Sequence, residues 1–301
     1  MSPNDREVRT GDGGRVDAEF LRRWPLPEPG GSKRSRGTVV VVGGAARSPG
    51  AVLLAGRAAL RVGAGRLTLA IGASTSTAAA VGFPESGVIP LSETGAGSVR
   101  GSSVSHAAAE LSAADAILVG PGLDDVAETR RMLRRVCRII GRGTGPTLIV
   151  DAFALGALAG MGRLGAGDRI LTPNSEEAEL LLGRRLDEVG DGVLAIAQRY
   201  RAVVTCHGWV AEPGGRLLRI EAGNPGLGTS GSGDVLAGAI AGLAARGCDP
   251  FQAAVWGTYL HMAAGDALAR AIAPVGFLAG EIADRLPAEL IAVDGGHPEK
   301  D

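Results

Sequence analysis

The chain has 301 residues, 45% of them hydrophobic, 21% charged and 3% aromatic, with a formal net charge of −1. That balance describes a globular core, without the basic excess that binds nucleic acid or an anionic membrane and without the aromatic platforms that stack bases. Lys33 and Lys300 are the lysines, both near the termini, the three cysteines are widely spaced and the four histidines lack zinc spacing, which excludes a Walker loop, a core Schiff-base lysine and a CxxC site.

Residues 1–36 are polar and rich in Gly, Pro and Arg, and are expected to form a partly flexible lead with one docking turn at 21–26. The first twenty residues lack the apolar stretch of a secretory signal, and no run is long and apolar enough to span a bilayer. Unpaired cysteines suit a reducing compartment, so a cytoplasmic protein without a membrane partner is expected. Residues 38–42 form a β-branched run closed by Gly43-Gly44, the pattern of a strand buried on both faces. A helix over 50–62 and a strand over 67–71 follow. Further strands are predicted over 116–119, 147–150, 170–171 and 202–205. They run into Gly120-Pro121-Gly122-Leu123, Asp151, Thr172-Pro173-Asn174 and Cys206-His207-Gly208. Pro213-Gly214-Gly215 between extended flanks predicts an antiparallel hairpin over 211–218. Helices are predicted over 234–246 and 250–271. Repeated strand-then-helix units imply one domain over 37–290, built on a parallel sheet with helices on both faces, and a polar tail at 291–301.

In an open parallel sheet, ligands bind beyond the carboxyl ends of the strands, and the unusual residues gather there. The most informative stretch is Gly223-Asn-Pro-Gly-Leu-Gly-Thr-Ser-Gly-Ser-Gly-Asp234, which runs into a helix of small apolar residues. Its glycines let several backbone N–H groups converge, and the helix dipole adds positive charge. Phosphate is the natural anion for such a site. Asp234 then has two readings: it accepts a proton from a hydroxyl being phosphorylated, or it caps the helix. Asn174 and Glu177 also have two: an amide and carboxylate that hold Mg²⁺ through water, or a cap with its capping-box acid. Gly43-Gly44 is not a GxGxxG fingerprint and does not indicate a dinucleotide fold.

The ordered set is more specific than any one motif. It comprises Gly37-Thr-Val-Val-Val-Val-Gly-Gly44 with Pro49-Gly50-Ala51, Val119-Gly-Pro-Gly-Leu123, Val150-Asp-Ala-Phe-Ala-Leu155 and Leu171-Thr-Pro-Asn-Ser-Glu-Glu177. The 223–234 loop, Tyr259-Leu-His-Met-Ala-Ala-Gly265 and Gly276-Phe-Leu-Ala-Gly-Glu281 complete it. Over 37–290 this set resembles the NAD(P)H-hydrate dehydratases of the ribokinase-like superfamily. The resemblance implies a three-layer α/β/α sandwich with a mostly parallel central sheet. It also implies an enzyme that dehydrates the (S)-hydrate of NADH or NADPH using Mg²⁺ and a nucleotide, which is ADP in bacterial members and ATP in eukaryotic ones. Ala51, Gly122, Asn174 and Asp234 match positions that hold the hydrate. His207, Gly208, Trp209, Val210, Ala211 and Gly233 match positions that hold the adenylate. Gly231, Ser232 and Gly233 match the phosphate loop, Asp234 the catalytic carboxylate, and Glu177 a contact to Mg²⁺ through water. The implied partners are a separate epimerase for the other hydrate form and further copies of the chain, as a homo-tetramer.

Two positions depart from the family pattern. Asn174 stands where histidine is common, and His207 stands where a Lys-Gly pair is common. A neutral imidazole gives a phosphate less charge than an ammonium does. Two other readings compete. One is an ATP-dependent kinase of a small alcohol of the vitamin-precursor type, favoured by the Asn174-to-Glu177 spacing. The other is a nucleotide-binding protein without turnover, suggested by the missing lysine.

Overall fold

The computed structural model describes residues 14–141, 145–165 and 167–294. The chain opens with β1 (Gly14–Val16) and α1 (Ala18–Arg22), then alternates through β2 (Thr38–Gly43), α2 (Gly50–Arg61), β3 (Arg66–Gly72), α3 (Ala73–Gly82) and β4 (Gly87–Leu91). It continues with α4 (Ala108–Ala113), β5 (Ala116–Val119), α5 (Val126–Ile140), β6 (Thr147–Val150), α6 (Phe153–Ala159), β7 (Arg169–Leu171), α7 (Ser175–Leu182) and α8 (Val189–Tyr200). Three strands, β8 (Val203–Cys206), β9 (Trp209–Ala211) and β10 (Leu217–Ile220), precede the closing helices α9 (Ser232–Ala245), α10 (Pro250–Ala271) and α11 (Ala279–Asp294).

The strands form one sheet in the order β1-β10-β9-β8-β7-β6-β5-β2-β3-β4. Every pairing is parallel except those of β9, which runs against both β8 and β10. The β-branched run of β2 shows why helices cover both faces. Val39 and Val41 point into one fully buried core, while Val40 and Val42 point into the other. On the first face α2, α9, α10 and α11 pack against one another; on the second, α5, α6, α7 and α8 form a row. This is the three-layer sandwich that the strand-helix alternation implied. Among the described residues no helix is long and apolar enough to cross a membrane.

The chain direction across the sheet reverses at β2. From there β3 and β4 extend one way, while β5, β6, β7 and β8 extend the other. Such a switch point opens a crevice beyond the carboxyl ends of the two flanking strands. The α2–α9 contact fixes what faces it. A Cβ on Gly238 would lie 2.1 Å from Ala55 O, and one on Gly242 would lie 2.5 Å from Ala59 O. Glycine therefore lets the two backbones touch, and the register (55 with 238, 59 with 242) makes the helices parallel. Their N-termini sit side by side at the strands' carboxyl edge.

Three boundaries differ from those read in the sequence. Residues 14–36 are built into the domain rather than trailing from it. Here β1 adds a parallel edge strand beside β10, Leu21 is fully buried, and Trp24 O accepts from Trp256 Nε1 at 3.0 Å. The expected docking turn is therefore one part of a larger attachment, while 1–13 lie outside the described residues. The hairpin expected over 211–218 is present as β9–β10, but a second, tighter hairpin joins β8 to β9. At the other end α11 continues to Asp294, past the expected boundary at 290.

Candidate functional site

The crevice at the switch point is made by two glycine loops that interlock. Gly44 N donates to Pro121 O at 2.8 Å, and Ala45 N donates to Gly122 O at 2.8 Å. The approach is close enough that only glycine fits. Gly122 has φ +68°, and a Cβ there would stand 2.2 Å from Ser48 O and 3.3 Å from Ala51 Cβ. Gly122 and Ala51 thus meet beside the first turn of α2. The α2 N-cap is Pro49, with no side-chain cap, so the first N–H groups of the helix remain free to bind a ligand.

The second uncapped helix start belongs to α9. Its N-cap is Gly231, left-handed at φ +88°, with no side-chain cap bond. Ser232 N donates to Thr229 O, and the first full helical bond runs from Val235 N to Gly231 O. The N–H groups of Gly233 and Asp234 precede that bond and have no partner within the helix. Leu54 of α2 packs at this point, since a Cβ on Gly231 would lie 2.5 Å from Leu54 Cδ1. Two positive helix ends therefore converge on one space.

Asp234 lies on the first turn of α9, and the structure removes its capping role. Gly231 occupies the cap position, and among the described residues the Asp234 carboxylate has no hydrogen-bond partner. Burial raises its pKa from the ordinary 3.8 to about 7. A carboxylate with that proton affinity suits general-base work at neutral pH. A second acid stands near it at the end of β6. Asp151 is fully buried and accepts from Thr172 Oγ1 at 2.6 Å. Burial holds its carboxyl well above the usual range, opposed by the Thr172 bond and reinforced by the charges of Asp234 and Glu177. Three acidic side chains thus share one electrostatic neighbourhood.

For Asn174 and Glu177 the structure builds the capping box. Asn174 Oδ1 accepts from Glu177 N at 2.9 Å, and Glu177 Oε2 accepts from Asn174 N at 2.9 Å. Burial raises the Glu177 pKa, partly opposed by that backbone bond. Among the described residues no three His, Cys, Asp or Glu side chains are grouped to hold a metal ion.

His207 and Gly208 form the two-residue turn between β8 and β9, with φ +48° and +79°. Positive φ at both positions is the geometry that matches strand twist in tight hairpins. The imidazole reaches α7, where Nε2 and Ser175 Oγ share a hydrogen bond of 2.7 Å. Beyond the turn the chain enters the sheet. Val210 and Ala211 are fully buried, one in each core, and pair with strands on both sides. The Trp209 ring packs against Gly190 of α8 and under Arg219. The His207-Gly208 turn stands at the end of the ladder, and the three following residues form β9.

Sequence reasoning missed the residues that hold the 223–232 loop from behind. Asp266 of α10 accepts from Gly223 N at 2.9 Å and from Asn224 Nδ2 at 3.0 Å. His261, also on α10, shares a 2.9 Å hydrogen bond with Ser232 Oγ. The sequence set did include His261, within Tyr259–Gly265, but gave it no role; the Asn-Pro-Gly run signals a turn, and Asn224 Oδ1 accepts from Gly226 N at 2.8 Å.

With this geometry in place, the chain can be compared with known proteins. A family model described as NAD(P)H-hydrate dehydratase matches residues 39–288. The chain is 46% identical to the ADP-dependent (S)-NAD(P)H-hydrate dehydratase of Xanthomonas campestris pv. campestris, over 91% of this chain and 95% of that one. It is 37% identical to a bifunctional NAD(P)H-hydrate repair enzyme of Moorella thermoacetica, covering 87% of this chain and 51% of that protein. Among solved structures, an ADP/ATP-dependent NAD(P)H-hydrate dehydratase of Bacillus subtilis, co-crystallised with ATP/Mg²⁺, superimposes with a TM-score of 0.77 at 24% identity, over 94% of this chain and all of that one. A ribokinase-like superfamily protein of Enterococcus faecalis gives a TM-score of 0.80 at 24% identity, over 95% of this chain and 97% of that one. These structural likenesses establish the ribokinase-like fold.

Proposed function

Because the chain belongs to the NAD(P)H-hydrate dehydratase family, we propose that it removes water from the (S)-hydrate of NADH or NADPH, with ADP as phosphoryl donor. One observation carries the reading: an unpartnered carboxylate, tuned by burial to about 7, on the first turn of an uncapped helix. Hydroxide is a poor leaving group and phosphate a good one, so kinase parts serve a dehydration. Asp234 takes the proton of the ring hydroxyl as its oxygen attacks the terminal phosphorus of ADP, and the bond to the bridging oxygen breaks to release AMP. The N–H groups of Gly233 and Asp234, with the first turn of α2, hold the charge spread over the phosphoryl oxygens. Phosphate then leaves with the C–O electron pair, driven by the ring nitrogen. Loss of a proton from the adjacent carbon restores the double bond.

The roles assigned to single residues belong to the same proposal. Ala51 and Gly122 line the hydrate side of the crevice, Asn174 borders it as the α7 cap, and the His207-Gly208 turn borders the nucleotide. Mg²⁺ fits as a guest of the phosphates rather than of a protein cage. Glu177 keeps one carboxylate oxygen for Asn174 N, leaving the other to accept from a metal-bound water. When bound, the ion neutralises phosphoryl charge. We also place the protein in the cytoplasm, in keeping with its three unpaired cysteines, and pair it with an epimerase for the other hydrate form. We also propose a homo-tetramer, with copies meeting at a groove of about 630 Å³ beside α2, where Leu53, Leu54, Leu60 and Phe83 lie among Arg57, Arg61 and Glu85. Light scattering would return the monomer mass if that reading is wrong.

The deciding assay incubates hydrated NADH with ADP and Mg²⁺, or with ATP and Mg²⁺, and follows the return of reduced nicotinamide absorbance. Absorbance should return with stoichiometric AMP in the ADP arm. A stable phosphorylated alcohol from ATP, without repair, would instead select a kinase. The spacing that favoured that kinase reading is accounted for by the capping box.

A further inference from the structure

The proposed phosphate loop is rich in glycine, yet it must present its N–H groups in one fixed arrangement. Glycine loses more backbone freedom on ordering than any other residue, so something outside the loop has to hold it. One face of α10 makes those contacts. Asp266 accepts from Gly223 N and from Asn224 Nδ2 at the loop's start. Leu227 lies against Gly265, where a Cβ would be 2.5 Å from Leu227 Cδ2. Met262 Cε packs at Gly223, 2.7 Å from where a Cβ would stand there. At the loop's end the buried ring of His261 bonds Ser232 Oγ at 2.9 Å. One turn earlier, Thr258 Oγ1 bonds Thr205 Oγ1 of β8 at 2.8 Å, close to the His207 turn.

We propose that His261 and Asp266 are positioning residues, which pin the two ends of the 223–232 loop to α10 and so pre-form the site for the terminal phosphate. Neither side chain touches the reacting atoms. They act through Ser232 and through the Gly223-Asn224 backbone, whose placement aims the N–H groups of Gly233 and Asp234. Preorganised donors need no rearrangement when charge develops, which is where such sites gain over water. The chemistry of the two residues suits the task. Burial keeps the imidazole neutral, with its pKa lowered to about 4, so a hydrogen bond is supplied to Ser232 without a fixed charge next to Asp234. The carboxylate of Asp266, with two acceptor oxygens, serves two donors at once.

The inference rests on the site proposed above, but it is tested by binding, without turnover. ADP and AMP affinities are measured by calorimetry for the wild type, His261→Ala, His261→Gln and Asp266→Asn. Leaving Ser232 Oγ unpaired should cost about tenfold in ADP affinity. AMP lacks the terminal phosphate, and its affinity should change by less than about twofold on the same reasoning. His261→Gln retains a polar atom near Nε2 and should recover most of the ADP affinity. Asp266→Asn, which keeps size and one acceptor, should show the same selective loss even if His261→Ala does not fold. The proposal is overturned if ADP and AMP affinities fall together, or if neither changes, because α10 would then be packing alone. Failure of the wild type to repair hydrated NADH would sink the dehydratase reading, yet the ADP-to-AMP comparison would still report on the loop.

Discussion

Replacing Asp234 by Asn removes a proton acceptor while keeping the side chain's shape. Because Gly231 holds the cap position, the change does not uncap α9. Turnover should fall by about two to four orders of magnitude, the usual worth of a general base. Stability should move the other way, with a sign set by pH. The carboxyl binds its proton more tightly in the folded state, at about 7 against an ordinary 3.8. Wild-type stability is therefore lost as pH rises from about 4 to about 7, and is flat above that. Full burial would make that loss about 4 kcal/mol at 1.36 kcal/mol per pH unit. Partial exposure to water reduces it to about 2 kcal/mol. Asp234→Asn lacks this slope, so moving from pH 4 to pH 8 should favour it over wild type by about 2 kcal/mol in urea unfolding. In parallel, wild-type kcat/KM should rise through an inflection near pH 7. Near-normal turnover in a folded Asp234→Asn protein, or a wild-type rate flat from about pH 5 to 8, would refute the reasoning.

Gly122→Ala forces a Cβ to within 2.2 Å of Ser48 O at φ +68°; thermal unfolding should show a loss of about 2 kcal/mol or more, and the KM for the hydrate should rise. His207→Lys exchanges the Ser175 bond for an ammonium near the nucleotide. Initial rates should show an ADP KM that falls or holds and a kcat within about twofold, and a large kcat loss at constant KM would mean that the ring has another duty. Asn174→Ala breaks the capping box and should cost about 1 kcal/mol in unfolding free energy, whereas Asn174→Asp should retain most of it.

The parts legible in the sequence are those written in neighbouring residues. Four consecutive valines after Thr38 specify a strand buried on both faces, and each strand's glycine, Asp or Asn terminator marks the edge where a ligand binds. The Gly223-to-Asp234 stretch announces an anion site for the same reason, since glycine content acts locally on the backbone. Tertiary structure decided the rest. It gave the α9 cap to Gly231 and thereby freed Asp234, because a left-handed residue at φ +88° fixes which N–H groups stay open. It buried Val210 and Ala211 within the ladder. It also paired β1 with β10, about two hundred residues away in sequence. His261 and Asp266 look like ordinary positions of a buried helix until α10 is laid against the loop. The hydrogen bonds they make span 29 and 43 residues. No local backbone preference reaches that far. Such contacts exist only once packing has set which face of one element meets which end of another.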